Sequence, residues 1–230
     1  MNGVFLMSTY SDMPVCDLRM ITAEMAKQIE DIHDIALLIL PSDAPEEVMT
    51  ALAAVQKSDI ASMIYLSRNE LLSVFNGCVE LTDNHFSGAQ KCNVLVNGVA
   101  VLKNISGETA GSVLVNGMLI LHKSLQSGCS LAFPMINGLQ KYLDFDDYKV
   151  FPNQIDVDVE FLSYLEQKTL IIAGNQISIQ QDVSVGLLKE KQTIFIAGNK
   201  ITCYQDIAAY VKTRGTAGNT VEVLSSSGND

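Results

Sequence analysis

Short aliphatic runs hinged on Asn-Gly or Ala-Gly-Asn dominate the chain from residue 71 to 224. One phrase occurs twice, as Val94-Leu95-Val96-Asn97-Gly98-Val99 and Val113-Leu114-Val115-Asn116-Gly117-Met118. Shorter copies stand at Val74-Phe75-Asn76-Gly77-Cys78, Met135-Ile136-Asn137-Gly138-Leu139, Ile171-Ile172-Ala173-Gly174-Asn175 and Phe195-Ile196-Ala197-Gly198-Asn199. A degraded copy spans 150–155. Aligned on the residue in the glycine place, the copies fall at 77, 98, 117, 138, 153, 174 and 198. A period near twenty, with two or three apolar runs per period, predicts a solenoid whose stacked coils share one core. Asn and Gly at the corners suit a backbone with positive φ. The rival reading is a row of Asn-Gly hairpins, but those repeat every 8–12 residues. The longer step favours coils.

Residues 20–66 have a different pattern. Thr22 reads as the N-cap of a helix over 22–31, with Glu24 in its first turn and an apolar stripe of Met25, Ile29 and Ile21 or Ile32. A buried strand over 34–40 stops at Pro41. A second helix, 46–57, carries Val48, Leu52 and Val55 on one face, with Pro45 in its first turn, and a strand over 59–66 follows. Asp34-Ile35-Ala36 and Asp59-Ile60-Ala61 recur 25 positions apart, close to the period of the later coils. Elsewhere the pattern predicts a strand at 3–7 with a worn corner at Asn2-Gly3, a loop over 11–17 around Pro14, and polar loops at 82–90 and 106–112. Beyond residue 70 it predicts strands with no helix other than a turn or two within 161–168. Strict alternation over 155–160 turns the carboxylates outward.

The expected organisation is three segments. Residues 1–70 form α/β solenoid coils that cap one end, 71–224 form a β-solenoid with NG and AGN corners, and 225–230 are a disordered tail. Parallel strands joined by crossovers imply right-handed winding. The α/β coils resemble leucine-rich-repeat architecture, although no L-x-x-L-x-L-x-x-N pattern is present. The coils of 70–224 resemble right-handed parallel β-helices and bactofilin-type solenoids in their Gly-punctuated aliphatic runs. These resemblances imply a β-rich repeat fold.

With 48% hydrophobic residues, only 7% aromatic ones and no Trp, the interior must be built of Val, Ile and Leu. The net charge of −11 disfavours nucleic acid, which needs clustered Lys and Arg. The charge is uneven: residues 1–80 carry −8 and 81–230 carry −3, so a basic protein partner would be met by the first third. Cys16, Cys78, Cys92, Cys129 and Cys203 are odd in number and never form C-x-x-C, which fits neither a zinc site nor a disulfide framework. All lie in or beside apolar runs and read as buried thiols of a cytoplasmic protein. No signal peptide and no apolar run of about 18 residues is evident.

Candidate chemistry is sparse. His33, His85 and His122 lie far apart and belong to no metal or catalytic motif. Left-handed β-helix acyltransferases place a catalytic histidine on hexapeptide coils, but that repeat is absent, and His122 reads as a surface histidine. Gly98, Gly117 and Gly138 are too regularly spaced for a nucleotide loop. Asp144, Asp146, Asp147, Asp156, Asp158 and Glu160 read as a solvated acidic face, with a calcium site as the alternative. Tyr142, Phe145, Tyr148 and Phe151 read as packing residues. The sequence therefore predicts no catalytic, cofactor-binding or metal-binding residue and no cofactor. The expected function is that of a non-catalytic protein-interaction or scaffold module, with an immunity or inhibitor protein as one form. The alternatives are a self-assembling, bactofilin-like structural protein or homo-oligomer and, less favoured, a β-helix carbohydrate-active enzyme.

Overall fold

The computed structural model describes residues 8–87 and 92–225. The expected strand at 3–7, the corner at Asn2-Gly3 and the tail beyond Ser225 lie outside the described residues. The chain divides into two compact units, 1–70 and 71–230.

In the first unit β1 (Ser8–Tyr10) and β2 (Met13–Asp17) lead to α1 (Ala23–Ala26) and the long strand β3 (Ile29–Pro41). Helix α2 (Glu46–Ala54) then precedes β4 (Gln56–Ile60) and β5 (Met63–Leu66). Strand β3 is central, with β1 and β2 on one side, β4 and β5 on the other, and all pairs parallel. These are three coils cornered on Asp12, Asp34 and Asp59, whose φ angles are 54°, 53° and 50°. Ile35 pairs with both Met13 and Ile60, so the Asp-Ile-Ala repeat marks true coil register. Pro14, expected in a loop, sits in edge strand β2, where its missing N–H is tolerated.

The expected helix over 22–31 is cut to a single turn. Thr22 does cap it, accepting from the Met25 N–H at 3.3 Å, but the chain turns extended at Ile29. Ile29, Ile32 and Ile35 are buried three residues apart within a strand. The β1–β3 register skips Glu30, and Asp34 adds a left-handed corner. Each adds one residue to the twofold strand repeat, giving a threefold spacing that imitates a helix. Met25, assigned to the apolar stripe, is 52% exposed.

The second unit opens with four parallel strands: β6 (Leu71–Leu81), β7 (Cys92–Leu102), β8 (Gly111–His122) and β9 (Ala132–Leu143). Each runs unbroken through its Asn-Gly corner, so the short strands read on either side of the corner are two arms of one bent strand. Asn76, Asn97, Asn116 and Asn137 are in register, as are the four glycines after them. Inside the bend, Val94, Val96, Ala100, Leu102, Val113, Val115, Leu119 and Leu121 form one core.

The chain continues with β10 (Asp147–Phe151), β11 (Gln154–Val157), α3 (Val159–Ser163), β12 (Thr169–Ala173), β13 (Gln176–Ile179) and α4 (Val185–Lys191). It ends with β14 (Ile194–Ala197), β15 (Lys200–Tyr204), α5 (Ala208–Arg214), β16 (Gly215–Ala217) and β17 (Thr220–Leu224). Two parallel sheets result, β10-β12-β14-β16 and β11-β13-β15-β17. No ladder joins β9 to β10, so the expected single continuous solenoid in 71–224 is instead two columns of coils. Helix α3 overlaps the turn expected within 161–168, but α4 and α5 stand where only strands and loops were expected. Ser184 caps α4 through the Leu187 N–H, and Lys189 and Lys191 suit its C-terminal end. Alternation over 155–160 stops at Val157, because Asp158 accepts from the Phe161 N–H at 2.7 Å and starts α3.

The columns pack through the outer faces of their sheets. Val99, Val101, Met118 and Ile120 meet Leu170, Ile172, Ile194 and Ile196, with Phe145 fully buried among them. Residues alternating with the latter four, Ile171, Ala173, Phe195 and Ala197, fill the core of the second column. Both faces of β12 and β14 are thus covered, which is why they read as continuous apolar runs. Among the described residues no helix is long and apolar enough to cross a membrane.

Candidate functional site

Two stacks of glycine line one groove. Gly98, Gly117 and Gly138 come from the first column, and Gly174, Gly198 and Gly218 from the second. Val99, Met118, Leu139, Ala197 and Ala217 complete a lining of about 540 Å³. Gly98, Gly117 and Gly138 have φ between 137° and 139°, a conformation other residues enter at a cost. In the second column φ is not left-handed, and glycine is required by close approach instead. A Cβ on Gly198 would stand 2.0 Å from the carbonyl oxygen of Gly174.

The bare backbone does not make the groove polar. The amides of Gly174, Gly198 and Gly218 donate to the preceding coil at 2.9, 3.0 and 3.1 Å. Beside the glycines run asparagine ladders. Asn97 donates to Asn76 at 3.0 Å and Asn137 to Asn116 at 3.1 Å. In the second column Asn199 donates to Asn175 at 3.1 Å and Asn219 to Asn199 at 2.6 Å. The last strand, 220–224, was expected from the sequence, but its corner at Asn219 was not, although Ala217-Gly218-Asn219 repeats the Ala-Gly-Asn phrase. The degraded corner was placed one residue late. Pro152, not Asn153, stands at the glycine level, since a Cβ on Gly174 would stand 2.1 Å from the Pro152 carbonyl oxygen.

The carboxylates of 144–160 disperse into separate roles. Asp144 pairs with Lys168 at 3.1 Å, Asp147 pairs with Lys149 at 2.7 Å, and Asp158 caps α3. Hydrogen bonding and charge from Lys168 hold the Asp144 carboxyl below its usual range, and the Lys149 hydrogen bond does the same for Asp147. Among the described residues no three His, Cys, Asp or Glu side chains group as a metal site. Of the cysteines, Cys16, Cys92 and Cys203 are buried, Cys129 is half-buried, and Cys78 is exposed, contrary to the expectation of burial; none is in a disulfide. Cys78 is exposed because β6 is the edge strand of its sheet.

Of the histidines, His33 bonds Asp31 at 2.9 Å and His85 completes a capping box with Thr82. His122, read as a surface residue, has a more organised setting. Its Nδ1 lies 2.7 Å from the Ser124 hydroxyl and accepts the Ser124 N–H at 3.2 Å. Its Nε2 is 3.9 Å from Asp144, and its ring meets Phe145 edge-on at 5.4 Å. Ser124 was not singled out in the sequence, where only its place two residues after His122 could have marked it. Comparison of the chain with protein-family profiles, with curated proteins and with solved structures finds no match, and what stands established is the architecture: a β-rich repeat fold of parallel strands stacked in register, of the β-solenoid kind, preceded by a mixed α/β part.

Proposed function

We propose that this chain is a protein-interaction module that binds an apolar segment of a partner protein in the groove between its glycine stacks. The observation that carries this reading is the groove itself. It is apolar, lined by backbone that cannot collapse into it, and free of ionisable or nucleophilic side chains, so it serves binding without catalysis. Its walls are parallel ladders, which hold a surface rigid and keep the entropic cost of binding low. The acidic first third, at −8, would favour a basic partner, as an immunity or inhibitor protein would meet. The coils are taken to wind right-handed, the sense that a twisted strand feeding a crossover favours.

End-to-end self-assembly is the second reading, and Pro152 argues against it. In the second column each glycine lies against the carbonyl of the coil before it, and Pro152 occupies that place in the first coil. A copy stacked on that coil would drive the Gly218 carbonyl into the proline ring. Pro134 and a register shift likewise blunt edge strand β9.

The test is to select peptides from a random display library on the folded protein and map them by amide chemical shifts. Binding in the groove moves the resonances of Gly98, Gly117, Gly138, Gly174, Gly198 and Gly218. Shifts confined to other residues would refute the groove reading. Light scattering should return one mass at all concentrations, and a mass that grows with concentration would put self-assembly first.

A further inference from the structure

We infer that Ser124, His122 and Asp144 form a nucleophile, base and positioning carboxylate able to cleave small activated esters. This goes beyond the binding role of the groove and does not depend on it. Ser124 is exposed, and it opens the 3-10 turn after β8 together with Lys123. Its hydroxyl lies 2.7 Å from His122 Nδ1, within the reach that a general base needs. The Ser124 N–H also points at Nδ1, at 3.2 Å. With two donors aimed at it, Nδ1 is the lone-pair nitrogen, and the ring proton sits on Nε2. Nε2 lies 3.9 Å from Asp144 Oδ1, within ion-pair range but longer than a hydrogen bond, while Lys168 holds the other carboxylate oxygen at 3.1 Å. The carboxylate is exposed, and catalytic contacts that are long in an unliganded site often tighten when substrate is bound. The edge of Phe145, which is itself fully buried, fixes the plane of the imidazole.

Ser124 also lines an open cavity of about 450 Å³ with Asp83, Lys103, Asn104, Ser106 and Gly128. Lys103, which also donates to the Asp146 carbonyl, and Asn104 are donor-bearing side chains that line the same cavity. Asp83 is committed to the Ser106 N–H and the Thr109 hydroxyl and is no competing base. The substrate class is therefore a small acyl ester with a good leaving group. Ser124 Oγ bonds to the acyl carbon while its proton passes to His122 Nδ1. The carbon–oxygen bond to the leaving group then breaks, and the leaving oxygen takes that proton. Water repeats the cycle on the acyl-serine, giving up one proton through Nδ1 and releasing the carboxylic acid and free Ser124.

The full chain is treated with a fluorophosphonate probe and digested for mass spectrometry, and hydrolysis of p-nitrophenyl acetate is followed in parallel. The expected result is labelling at Ser124 with loss of fluoride. Ser124→Ala abolishes both signals, and His122→Asn lowers the labelling rate at least about 10-fold. Asp144→Asn keeps the label but changes the rate–pH profile, as a positioning residue should, whereas a purely structural role would leave that profile unmoved. Labelling no faster than that of the denatured chain, or hydrolysis equal in wild type and Ser124→Ala, would overturn the inference. Circular dichroism of each variant separates a lost site from a lost fold.

Discussion

A Cβ built on Gly117 would stand 2.1 Å from the carbonyl oxygen of Gly98. The two residues are one coil apart, and their contact is made possible by the absence of a side chain. It repeats at Gly98 on Gly77 and Gly138 on Gly117, and in the second column at Gly198 on Gly174 and Gly218 on Gly198. The corner glycines therefore answer two separable demands, left-handed φ and close approach, and substitution can tell them apart.

Gly77 has φ of 96° and nothing within 4 Å of its missing Cβ, so Gly77→Ala meets backbone strain alone, about 1–2 kcal/mol. Gly198→Ala meets the clash alone. Gly117→Ala meets both and should cost on the order of 4 kcal/mol. Urea unfolding should rank the losses Gly117 above Gly198 above Gly77. A Gly198→Ala variant as stable as wild type would remove the close-approach account.

Asn199 sits inside the second asparagine ladder, donating to Asn175 at 3.1 Å and accepting from Asn219 at 2.6 Å. Both bonds are exposed, so water replaces part of their worth. Asn199→Ala should lose about 1 kcal/mol. Asn219→Ala, at the end of the ladder, should lose about half of that, and equal losses would show that the ladder is not the cause.

Phe145 is fully buried between the two columns and touches His122 and Tyr148 edge-on. Phe145→Ala removes the largest fully buried side chain of that interface and should cost about 3–5 kcal/mol. Differential scanning calorimetry would show a lower Tm. An unchanged Tm would mean that the columns do not depend on this ring for their packing.

His33 lies in the first unit among carboxylates. The hydrogen bond that His33 donates to Asp31, and then the charges of Asp31, Asp34 and Asp12, raise its pKa above the ordinary value of 6.5. A raised folded pKa means that protonated His33 stabilises the fold. That contribution is complete below the unfolded value and disappears as pH rises through the folded one. The stability gap between wild type and His33→Asn should therefore shrink from pH 6 upward. Titration of the His33 ring protons by NMR should give a midpoint above 6.5. A midpoint below it, or a gap that widens with pH, would contradict this arrangement.

The coil corners of residues 71–198 were legible because Asn-Gly and Ala-Gly-Asn recur at the spacing of one coil, and a stacked backbone leaves few residue types able to occupy those places. The Asp-Ile-Ala repeat was legible for the same reason, since Ile35 and Ile60 share a register position. The helix over 22–31 was misread because a bulge at Glu30 and a corner at Asp34 give β3 a threefold spacing of isoleucines. The later helices were missed because α4 and α5 are seven residues each, too short to show periodicity, and are held by coil packing more than by propensity.

What the sequence by itself determined was the repeat: which residues turn the corner, which fill the core, and how far one coil lies from the next. These are local demands of backbone conformation and of strand alternation, and each leaves its mark in a few adjacent letters. Only the tertiary structure decided that the chain breaks stack after Leu143 and starts a second column at Asp147. It alone brought Gly98 and Gly174 to one groove, and Ser124, His122 and Asp144 to one cluster. Those meetings depend on which outer faces pack together, and aliphatic faces such as Val99–Val101 and Leu170–Ile172 carry no label for their partner. The hydrophobic effect that drives them together is non-directional, so the pairing is settled by shape across the whole column and not by any short stretch of sequence.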